Sequence, residues 1–169
     1  RHLAQGCADL AAGRVADAIG AARAALETFA RVEKQFRRIA AALLAEALLL
    51  AGDYPATVEA AQEAIDLSAR SLRAQYEARA HGVMARALLR RDGAAARELA
   101  AAALADAAAL IEGSGATTLV PLLCERRAEL AAVLGDDVTR VRLLQQAQRG
   151  YDEIGAPLQA ARIARELDA

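Results

Sequence analysis

Gly52-Asp53-Tyr54-Pro55-Ala56-Thr57-Val58-Glu59-Ala60-Ala61-Gln62-Glu63-Ala64-Ile65 reads as a tight turn followed by a helix. Gly52 stops the apolar run before it, Asp53 can cap the next helix, and Pro55 falls in a first turn, where a missing N–H costs nothing. The same pattern starts about 39 residues earlier, at Gly13, and about 39 residues later, at Arg91. A looser copy begins about 44 residues further on, at Gly135. Spacing of this size signals an all-α stack of helix pairs.

Working outward, His2 to Ala12 and Val15 to about Val32 form a first pair, with Val15, Ile19, Ala22, Leu26 and Phe29 at helical spacing. Phe36 to Ala51 is strongly apolar and precedes the quoted turn, whose helix runs to about Ala69. Leu72 to Arg90 and Ala94 to Ile111 make a third pair, the second member being nearly all alanine and leucine on one face. Glu112 to Thr118 reads as the longest loop, with Thr117 or Thr118 capping the next helix and Pro121 near its first turn. Leu122 to Leu134 and Val138 to Ile154 complete a fourth pair. The expected units are 1–33, 34–70, 71–112 and 117–154, followed by an amphipathic capping helix over 156–168. Together they make one domain.

At 169 residues and 56% hydrophobic content the chain can bury a core, but much of that content is alanine. Cohesion must then come from close helix approach. Aromatic residues are only 3% and tryptophan is absent, which removes the usual stacking platforms for single-stranded nucleic acid. A formal charge of −1 supplies no field to attract phosphate backbones or anionic membranes. Neither direct nucleic-acid binding nor membrane association is expected. Ile39 to Ala51, the most apolar run, is too short to span a bilayer and is broken by Glu46. Cys7 and Cys124 have no metal-ligand spacing and read as buried small hydrophobes of a reducing, cytoplasmic compartment. The chain starts at Arg1 and reads as a piece of a longer protein.

The repeated positions carry a resemblance. The turn glycine is Gly13, Gly52 and Gly135, with Arg91 departing; the small residue at the helix crossing is Ala18, Thr57 and Ala96, with Arg140 departing. Later small residues are Ala25, Ala64, Ala103 and Ala147, followed by Leu26, Ile65, Leu104 and the departing Gln148. In these features the chain resembles the tetratricopeptide (TPR) repeat family, although its period exceeds the family's commonest, about 34 residues. The resemblance implies a TPR-like α-solenoid of about four antiparallel helix pairs with a C-terminal capping helix. Over its last third, Gly115-Ala116, Glu125 to Ala131, Gly135-Asp136, Tyr151 to Ala156 and Ala161 to Leu167 are similar to the closing repeats of two groups. These are ATP-binding multidomain class III adenylate/guanylate cyclases and large ATP-binding LuxR-type regulators. None of their catalytic, ATP-binding or DNA-binding motifs stands in this sequence.

No constellation for chemistry emerges. Gly113-Ser114-Gly115-Ala116-Thr117-Thr118 has no following lysine and follows a helix rather than a strand, unlike a phosphate loop. Asp136 and Asp137 read as helix-capping acids rather than metal ligands, and His2 and His81 as ordinary surface or groove histidines. No cofactor and no metal are expected, and an enzyme is disfavoured. Arg79, Arg86 and Arg90 share one helix face, and first helices of such pairs line a concave groove. There they could clamp carboxylates or phosphates of an acidic segment, with Glu46, Glu125 and Glu129 as opposite-signed counterparts on neighbouring first helices. The expected function is a non-catalytic protein-interaction or intramolecular regulatory scaffold of a bacterial signalling protein. Its partner is a protein or peptide segment, or another domain of the same chain. The alternative is a self-association module that forms a homodimer and so pairs attached cyclase or DNA-binding domains.

Overall fold

Residues 2–29, 34–68 and 74–168 are described by the computed structural model, and no strand occurs among them. The helices are α1 (His2–Ala11), α2 (Val15–Phe29), α3 (Lys34–Ala51), α4 (Tyr54–Ser68), α5 (Ala74–Asp92), α6 (Arg97–Ser114), α7 (Val120–Val133), α8 (Asp137–Glu153) and α9 (Pro157–Leu167). Ala30, Val32, Ala69, Leu72 and Arg73, all placed on helices by the sequence pattern, lie outside the described residues.

One turn closure recurs along the chain. Gly52 adopts φ of 79°. Its N–H donates to the Leu49 carbonyl and the next N–H, of Asp53, reaches back to Leu48 at 3.1 Å. A left-handed residue at this place lets two orphan carbonyls at the helix end be satisfied, and only glycine adopts it without a Cβ penalty. The same pair of bonds closes α1, α6, α7 and α8. Asp53 Oδ1 then accepts from the Ala56 N–H at 3.2 Å, which caps α4 as expected. Asp136 repeats this at α8, accepting from the Thr139 N–H at 3.0 Å.

Two local expectations fail. The third copy turns at Gly93, two positions beyond Arg91, and a 3-10 turn over Gly93–Ala96 delays α6 to Arg97. The stretch 112–118 is not a long loop, because α6 continues to Ser114 and a second 3-10 turn occupies Thr117–Leu119. Neither threonine caps α7, whose N-cap Leu119 offers no side-chain acceptor; Pro121 does fall in the first turn.

Each helix packs against the next in the chain. α1, α3, α5 and α7 also touch one another in series, whereas no two even-numbered helices are in comparable contact among the described residues. The chain thus forms two layers, one tight and one splayed. Alanine makes the tight layer: Ala40, Ala41, Ala45, Ala47 and Ala87 are all fully buried. Small side chains at helix crossings let backbones come close enough for extensive dispersion contact. Leu104, Leu144 and Ile163 are the largest fully buried apolar side chains, and all three stand on C-terminal helices, α6, α8 and α9.

Candidate functional site

The tight layer carries a depression of about 150 Å³ to which α1, α3, α5 and α7 all contribute. Leu10, Leu49, Val83 and Leu122 supply apolar lining, while Glu46, Arg79, Arg86 and Arg126 surround it. Two stripes explain the placement. On α5, Arg79, Val83, Arg86 and Arg90 follow the spacing i, i+4, i+7, i+11, and on α7 Leu122, Arg126, Glu129 and Val133 follow the same spacing. Such residues share one helix face.

The charges engage one another across helices. Arg79 donates to Glu46 Oε1 at 2.6 Å, joining α5 to α3. Arg86 lies 3.1 Å from Glu129 Oε1, and Arg126 donates to that same oxygen at 3.0 Å. Burial opposes the charge of Arg79, but Glu46 outweighs it and holds the guanidinium firmly protonated. Arg86 is different. Burial lowers its pKa, Glu129 compensates only in part, and Arg126 and Arg90 add like-charge repulsion. Three guanidinium groups therefore share two carboxylates around the depression, and Arg86 is the under-compensated charge.

Two sequence candidates stand elsewhere. Arg90 is exposed and lines an adjoining hollow of about 480 Å³ between α5 and α7, together with Arg140 and Glu166. Glu125 turns away from the depression altogether. Its carboxylate is buried toward α8 and α9, accepting from the Tyr151 hydroxyl and from Arg162 at 2.7 Å. Arg126, one position along, takes the outward place that the sequence pattern assigned to Glu125. The signal for it was the stripe shared with Leu122 and Glu129, which is visible once α7 is aligned with α5.

Other chemical groups are dispersed. Among the described residues no three His, Cys, Asp or Glu side chains gather where they could hold a metal ion. Nor is any helix there long and apolar enough to cross a membrane. Cys7 is exposed rather than buried, because α1 packs on one side only. Cys124 is half-buried on α7, and burial pushes its thiol pKa up.

His81 is not a surface residue: only 12% of its side chain is exposed, and its Nδ1 stands 4.0 Å from Asp106 without a hydrogen-bond partner. Burial pulls its pKa below the ordinary imidazole value, with Asp106 and Glu77 opposing. The unfolded chain therefore binds a proton that the folded chain resists. Stability should be full above about pH 6.5 and fall as the pH drops below it. Urea unfolding of wild type and His81→Gln between about pH 7.5 and 5 checks this, since the variant should lose much of that slope. Equal slopes would contradict it.

Compared with protein-family models, with curated proteins and with solved structures, the chain matches none.

Proposed function

We propose that the chain is a TPR-type α-solenoid whose tight helix layer is a concave groove for a protein segment carrying apolar and acidic side chains. It is a non-catalytic interaction or intramolecular regulatory module, in keeping with the resemblance to cytoplasmic bacterial signalling proteins. The observation that carries this reading is the apolar-floored depression to which four alternate helices contribute, bordered by Arg86 with its charge only partly compensated. In a curved stack the helices that touch lie on the inner side. Apolar contacts there supply affinity, and the arginines select and orient the acidic group.

A displayed peptide library selected against the chain tests the reading. Selected sequences should combine carboxylates with apolar residues, and Arg86→Gln should weaken them about tenfold while leaving thermal unfolding nearly unchanged. Selection without acidic enrichment, or affinity untouched by Arg86→Gln, contradicts it.

A second reading, self-association, has its own support. Val138 and Leu158 are 83% and 81% exposed, and Leu134 and Ile154 stand partly open at the same C-terminal helices. Apolar side chains exposed in number suit an interface between copies. Light scattering across a concentration series separates the two, a strict monomer counting against the second.

A further inference from the structure

The splayed layer holds a different kind of opening. α6 and α8 are not in comparable contact, and between them, above α7, lies a cleft of about 450 Å³. Its apolar lining includes Leu104, Leu130 and Leu143, and the α6 wall is built from Ala101 and Ala105, whose small side chains keep it wide. That volume falls within the range of small-molecule sites, about 300–1,000 Å³.

Two arginines, Arg127 of α7 and Arg142 of α8, line this cleft. Neither takes part in any ion pair among the described residues, although most other arginines there do. The acid beside them is Asp136: its carboxylate accepts from the Thr139 N–H at the start of α8 and feels Arg142 only as a weaker charge beyond ion-pair distance. Both guanidinium groups act on the Cys124 thiol, which lines the same cleft. An apolar trough with two arginines at its margin, neither in an ion pair among the described residues, matches a molecule of opposite design: a hydrocarbon chain ending in an oxyanion.

We propose that the α6–α8 cleft binds an amphipathic monocarboxylate, its chain lying along the leucines of α7 and α8 and its carboxylate held by Arg127 and Arg142. This site is on the opposite layer from the groove and stands independently of the groove's function.

Cys124 reports occupancy directly, and exposed Cys7 on α1 serves as the internal reference. Iodoacetamide alkylation of each thiol is followed by peptide mass spectrometry at mildly alkaline pH, because thiolate is the reacting form. Laurate below its micellar concentration should slow Cys124 saturably, by about tenfold or more, without changing the rate at Cys7. Dodecanol, lacking the charge, and acetate, lacking the chain, should each protect far less. Arg127→Ala/Arg142→Ala should lose the protection while keeping the Cys7 rate. The proposal is overturned if laurate leaves Cys124 unprotected, if dodecanol protects equally, or if protection persists in the double variant. The comparison of laurate with dodecanol uses the unaltered chain, so it decides the matter even if the variant folds poorly.

Discussion

Glu125→Ala will lower the unfolding free energy by about 2–4 kcal/mol, measured by urea denaturation at neutral pH. The carboxylate is buried, with its side chain only 5% exposed, and it joins three helices: α7 through its own backbone, α8 through Tyr151, and α9 through Arg162. Its removal leaves the Tyr151 hydroxyl buried without an acceptor. Arg162 is half-exposed and can turn to water, which keeps the loss below that of a fully buried pair. Tyr151→Phe should cost less, about 1–2 kcal/mol, and the double variant should cost less than the two added together. Strict additivity would show that the three groups do not act as a unit. Burial, reinforced by Glu125, also raises the Tyr151 pKa. That part of the stability is therefore present below about pH 10 and is lost as the pH rises beyond it.

Gly150→Ala will destabilise the protein by about 1–2 kcal/mol net, although the same change in an open helix stabilises. A Cβ at Gly150 would stand 2.7 Å from Pro121 Cγ and 3.3 Å from its Cβ. The proline ring is rigid and cannot swing aside, so α7 and α8 must separate. Gly20 is the control: it lies inside α2, and a Cβ there meets nothing within 4 Å. Gly20→Ala should gain about 0.5–1 kcal/mol. Opposite signs for the two substitutions, read from urea midpoints, are the expected result; a gain at both would contradict the close α7–α8 approach.

The order of elements was legible because turn chemistry is local. Gly52 with Asp53, and Gly135 with Asp136, determine both the end of one helix and the cap of the next. In the third copy the break before Ala94 was legible, but the alignment of copies put the turn position at Arg91, whereas the backbone takes its positive φ two residues later, at Gly93. Thr117 and Thr118 misled in the opposite way: these good capping residues lie within a 3-10 turn, and the N-cap of α7 falls after them at Leu119.

The candidate site was less legible, because a residue's direction depends on helix phase. One position turns a side chain by about 100°. That angle separates Glu125, bonded inward to Tyr151, from Arg126, beside the depression. No local propensity distinguishes them; packing of α7 against α5 and α8 does. The pairing of Arg79 with Glu46 and of Arg86 with Glu129 likewise depends on contacts between helices more than thirty residues apart, which a charge pattern on one helix can suggest but not align.

Methyl chemical-shift mapping with a library-selected peptide tests the groove most directly. Leu10, Leu49, Val83 and Leu122 line the depression, so under the proposed function their methyl signals should move together and saturate at one affinity, while those of Val138 and Leu158 stay in place. Shifts confined to Val138 and Leu158, or to Leu130 and Leu143 of the opposite cleft, would contradict a groove-binding function.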